Sequence, residues 1–228
     1  MESTLPAIAG VPVDRIDALR RESEAVLSFC GGLSPDEWNA PSRAAGWTVR
    51  DVVAHLAAGS RLMFSLDVVE LLRTRQVERF NDKLAAEREG MSPAELLAEY
   101  RTWAPRVARL LAVVTRGPGG SLPLRVGELG WYPARLVASA LTFDAHTHLR
   151  HDIAPALDRP APPTDGQRMA VAVEWLLALL EKLNAEQRTG FDRPLVLGLT
   201  GEGGGRWRLD PAGRGRLRVG PATAVPTA

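Results

Sequence analysis

Four stretches of this chain carry apolar residues at three- and four-residue spacing, and that pattern restricts the fold to packed amphipathic helices. In residues 13–33 the stripe is Ile16, Leu19, Val26, Leu27 and Cys30, and Gly31 with Gly32 closes it. A short helical turn bearing Trp38 follows, because SPDE at residues 34–37 places Ser at an N-cap, Pro at N1 and Glu at N3. Thr48-Val49-Arg50-Asp51 opens a second long helix predicted to reach about Arg73 through Val52, Val53, Leu56, Met63, Leu66 and Val69. Ser92-Pro93-Ala94-Glu95 opens a third, with Leu96, Tyr100, Trp103, Val107, Leu110, Leu111 and Val114 inward and a kink expected at Pro105. A fourth starts near Pro133 and continues through Leu136, Val137 and Leu141 to Ile153, where Pro155 stops it. The charged residues 75–89 read as helical or irregular, and residues 117–130 as irregular or short extended structure.

Clustered prolines in residues 155–166 mark a linker, so the expected domains are 1–154, a helical bundle, and 167–228, a small unit. The second holds one helix from about Met169 and three short strands, PLVLGLTG, GRWRLD and GRLRVG, separated by glycine turns. The fold class is therefore mainly α, a four-helix bundle followed by a small, abbreviated α/β domain.

Composition narrows the function. The formal charge is +1 with acids and bases interspersed, which leaves no nucleic-acid footprint. No apolar run approaches the roughly 20 residues of a bilayer span. MESTLPAIAG has neither a basic region nor an apolar core of a signal peptide, so no membrane partner and a cytoplasmic location are expected. Cys30 is the single cysteine, lies on an apolar stripe, and reads as a small core residue. The six tryptophans read as packing residues, and Arg206, Arg208, Arg216 and Arg218 as a solvated strand face.

Chemistry concentrates in FDAHTHLRHDI, residues 143–153, which holds three of the four histidines. On a regular helix Asp144, His148 and His151 share one face, continuous with Val137 and Leu141, while His146 falls opposite and toward solvent. Buried carboxylates and imidazoles need partners, and a divalent cation satisfies several at once. His55 lies on the inner side of the second long helix, with Asp51 one turn earlier, so two helices could bring His55, Asp144 and His148 onto one ion. Two histidines and one carboxylate leave coordination positions open, as in catalytic sites. A hydrogen-bonded Asp144–His148 pair without metal is the plain alternative. His151, near the helix end, is either an outer ligand or an exposed partner of the helix dipole.

GWTVRDVVAHLA, residues 46–57, followed by FDAHTH, resembles the signature of the mycothiol-dependent maleylpyruvate isomerase family, and SPDEW and SPAELLAEYR look familial as well. The resemblance covers roughly residues 16–152 and implies a DinB-like bundle. It further implies a metal, usually zinc, held by His55, Asp144 and His148. The family commonly has glutamate where this chain has the shorter Asp144. Mycothiol would be the low-molecular-weight thiol cosubstrate, added to an electrophilic small molecule in isomerisation or S-transfer. Arg79 and Asn81, with Asp82, are the candidates for binding the thiol at the mouth of the site. The family's C-terminal domain is longer than residues 167–228, which favours as alternative a regulatory or ligand-sensing metal-binding bundle without turnover.

Overall fold

Three reciprocal capping boxes set the helix starts. In the computed structural model, which describes residues 13–182, 192–213 and 216–222, α1 (Arg15–Cys30) is followed by α2 (Pro35–Asn39) and α3 (Val49–Leu62). The Ser34 hydroxyl accepts from the Glu37 N–H while the Glu37 carboxylate accepts from the Ser34 N–H, and Thr48 with Asp51 repeats the arrangement. Each cap contributes about 1 kcal/mol.

The second long helix ends at Leu62 instead of Arg73. Its continuation, α4 (Asp67–Arg73), is bent away by 97°. Ser65 accounts for the break: its hydroxyl bonds the Leu62 carbonyl and the Asp67 carboxylate and accepts from the Asp67 N–H, replacing helical backbone bonds. The charged segment is helical as α5 (Val77–Ala86), whose Phe80 and Leu84 pack on Ala58 of α3. Ser92 and Glu95 cap α6 (Pro93–Val114), which continues through exposed Pro105. Next comes an antiparallel hairpin of β1 (Pro123–Val126) and β2 (Gly130–Pro133). Gly127, the first residue of its turn, has φ +49°, and a Cβ there would lie 2.5 Å from Val77 Cγ2.

The last bundle helix, α7 (Leu136–Thr147), starts after Pro133 and does not stay α-helical to Ile153. His148–Ile153 forms a π-helical turn, then Ala154–Leu157 a tight turn ended by Asp158 at φ 51°. Pro155 lacks the N–H that would bond the His151 carbonyl, and its ring crowds that carbonyl, so an α-helical turn cannot continue here. The wider turn buries both Leu149 and Ile153 and carries buried Arg150 to the fully buried Glu22 of α1. Arg150 also donates to the Pro162 and Pro163 carbonyls.

Helices α1, α3, α6 and α7 form the bundle, around Val26, Cys30, Val52, Val53, Leu56, Leu96, Tyr100, Ala145 and Leu149. This unit comprises residues 15–163. The other is built on α8 (Gly166–Leu180), capped by Asp165, and the antiparallel sheet β3 (Leu195–Leu199), β4 (Gly205–Pro211), β5 (Leu217–Pro221). Trp207, Leu209 and Val219 turn inward onto Ala170, Val173 and Leu177, which leaves Arg206, Arg208, Arg216 and Arg218 exposed. Among the described residues no single helix is long and apolar enough to cross a membrane.

Candidate metal centre

His55 projects from α3 between buried Val52, Val53 and Leu56, and is itself buried. Asp144 lies on α7, and His148 at the start of the π turn, four residues on. His55 Nε2 is 3.1 Å from Asp144 Oδ2, and His148 Nε2 is 3.5 Å from Asp144 Oδ1. The three side chains each offer a ligand atom within 4.8 Å of the others. The Asp144 side chain stays 36% exposed, so the cluster opens to solvent on the carboxylate side.

The surroundings fix the rings. His148 Nδ1 lies 2.8 Å from Asp152 Oδ2. The Trp47 indole stacks on His148 at 6.2 Å and tilts over His55 at 5.2 Å, and its Nε1–H donates to Asp82 of α5 at 3.0 Å. The loop carrying Trp47 is pinned by Ser42, which bonds the Trp47 carbonyl through both N–H and hydroxyl, and by the Arg43 N–H donating to the Asp152 carbonyl. His55 Nδ1 is buried without a hydrogen-bond partner among the described residues.

Electrostatics follow this packing. Burial raises the Asp144 carboxyl, but the charge of His55 and the hydrogen bonds and charge of His148 outweigh it and hold the carboxyl far below the ordinary carboxylate range. Burial works to lower His148, yet Asp144 and then Asp152 raise it to about 9. A proton is thus the competitor of any cation for the same nitrogen. Burial pushes the Cys30 thiol up to about 12, so it is no nucleophile at neutral pH.

Several expectations change. His146, expected at the surface, is buried, and His151 is exposed with its ring 6.5 Å from that of His146. The π turn rotates His151 off the Asp144 face and brings Asp152 to His148 instead. Asp51 does not face the cluster, because its carboxylate accepts from the Thr48 N–H and hydroxyl as a cap. The Arg79 guanidinium donates to Gln76 Oε1, and Asn81 is half-buried. Trp47 is not simply a packing residue, and neither its position nor that of Asp152 follows from helical stripes. Asp152 had one signal: it follows His148 by four residues, as His148 follows Asp144.

The family model described as the mycothiol maleylpyruvate isomerase N-terminal domain matches residues 19–154. The chain belongs to this family. The match spans α3, α7 and the π turn, so the whole cluster lies inside the maleylpyruvate isomerase N-terminal domain. Two uncharacterized proteins of Mycobacterium tuberculosis, from strains CDC 1551 / Oshkosh and ATCC 25618 / H37Rv, are each 26% identical over 218 residues, covering 90% of this chain and 79% of theirs. The crystal structure of a mycothiol-dependent maleylpyruvate isomerase is similar in fold, with TM-score 0.55 at 19% identity. A histidine-to-alanine mutant of such an isomerase gives 0.58 at 18%, and both alignments cover 84% of this chain and 79% of the other.

Proposed function

We propose that His55, Asp144 and His148 hold a divalent metal ion, zinc as the family resemblance implies, and that the protein activates mycothiol for addition to an electrophilic small molecule. The observation that carries this reading is the convergence of two imidazoles and one carboxylate. Each of the three side chains offers one ligand atom within 4.8 Å of the other two, close enough for a single ion to be shared among them. Three protein ligands with a solvent-facing side match the open catalytic type of zinc site.

A divalent ion held by these three residues would lower the pKa of a thiol from roughly 8.5 and favour its thiolate form. The chain's own residues do the rest. His55 and His148 fix the ligand directions from two helices, and Trp47 walls one side with an aromatic face. Partly exposed Asp144 marks the side on which thiol and electrophile arrive. Helix α5 borders the site through the Asp82–Trp47 bond. Arg79, three residues before Asp82 and so on the same helix face, and Asn81 are proposed to bind the thiol. Buried Cys30 leaves the nucleophilic sulfur to come from a cosubstrate. Addition to an activated alkene gives isomerisation when the thiol leaves again and S-transfer when it stays. A cytoplasmic setting suits both a reduced thiol pool and a free cysteine.

The test is the rate of mycothiol-dependent isomerisation of maleylpyruvate, or of mycothiol substitution on a chlorinated nitroarene with release of chloride. The purified protein is expected to accelerate it, a strong chelator to abolish the acceleration, and added zinc to restore it. Chelator-resistant acceleration would overturn the metal's role. Bound metal without acceleration would favour a sensing bundle.

A further inference from the structure

We infer that Asp152 is a positioning residue that sets which nitrogen of His148 faces the metal ion, an inference that rests on the metal reading above. A ligating imidazole must present a lone pair, and in the neutral ring the other nitrogen then carries the proton. Asp152 Oδ2, 2.8 Å from His148 Nδ1, accepts that proton in a charge-assisted bond. Nε2, 3.5 Å from Asp144 Oδ1, is then the nitrogen whose lone pair a metal ion would take. Side-chain exposures of 18% for His148 and 19% for Asp152 shield the bond from much of the competing water.

Two further contacts make this an oriented device instead of a chance pair. Trp47 stacks on the His148 ring at an interplanar angle of 30°, so the imidazole is held on its face as well as at its Nδ1 edge. The Arg43 N–H donates to the Asp152 carbonyl at 3.0 Å, which anchors the loop of Trp47 to the same residue. This second bond uses only backbone atoms and survives any side-chain replacement. His55 has no equivalent: its Nδ1 lacks a hydrogen-bond partner among the described residues. The two histidines are therefore held differently, and loss of the Asp152 carboxylate acts on His148 alone.

The experiment compares wild type with Asp152→Asn and Asp152→Ala. Zinc affinity is measured by competition with a chromophoric chelator, and the zinc-loaded proteins are examined by nitrogen-edited histidine NMR. Circular dichroism melts verify folding. Asparagine keeps the shape and removes the charge, so it stays informative if alanine disturbs the turn. Both variants are expected to bind zinc about 10–100-fold more weakly, the usual cost of an outer partner. The His148 Nδ1–H resonance, slowly exchanging in wild type, should be lost while the His55 signals stay. Zinc bound equally tightly by wild type and folded variants, or His148 ligating through Nδ1, overturns this inference alone. A wild-type protein that binds no zinc overturns the metal reading and takes this inference with it.

Discussion

Alanine at His55 or at His148 is expected to lower zinc affinity by more than the about 100-fold that loss of an outer partner reaches. Thiol addition should fall to the uncatalysed rate. Each change removes one of only three protein donors, and no other histidine is placed to replace it, since buried His146 and exposed His151 lie off the cluster face. The fold should survive both substitutions. Asp144 keeps contact with solvent and with the remaining histidine, so no unpaired charge is stranded in the core. Isothermal titration of the folded variants with zinc, beside the thiol-addition assay, checks this. Wild-type affinity in either variant would contradict it.

The second large effect concerns stability. Glu22 is fully buried and pairs with Arg150, whose side chain is 7% exposed. Glu22→Ala strands a buried guanidinium, which costs about 3–5 kcal/mol. At about 2–4 °C per kcal/mol for a domain of this size, the melting midpoint should fall by about 10 °C. The Pro162 and Pro163 carbonyls accept from Arg150 but carry no full charge, and so compensate only in part. Replacing both partners, Glu22→Leu with Arg150→Met, should recover most of the loss, because apolar packing removes the desolvation penalty along with the attraction. A single variant as stable as wild type would show that the pair does not hold the π turn to α1.

The bundle was legible because its signals are local and repeat. SPDE, TVRD and SPAE name their own helix starts, and the stripes through Val26, Val52 and Leu96 name the buried faces of the first three long helices. The Asp144–His148 spacing of four residues and the inner position of His55 on α3 are equally local, and they suffice to bring these three side chains together. Features that interrupt periodicity were not legible. Apolar residues continue past Ser65 at helical spacing, so the 97° bend depends on one hydroxyl whose bonds no stripe reveals. The π turn arises where Pro155 meets a core that wants both Leu149 and Ile153, and it changes which residues follow the Asp144 face. That departure explains the exposure of His151 and the arrival of Asp152 on the Asp144 face. His146, by contrast, is buried because the inward face of α7 runs through Leu136, Ser139, Thr142 and Ala145 and not through Val137 and Leu141. Trp47 lies in a loop, where the fold alone decides what an aromatic ring covers.

The most direct measurement of the central claim is an anomalous-difference map at the zinc edge from crystals grown with zinc. A single strong peak is predicted at about 2.0–2.2 Å from His55 Nε2, an Asp144 carboxylate oxygen and His148 Nε2. An ordered map without a peak there, with the Asp144 carboxylate hydrogen-bonded to both imidazoles, would contradict it.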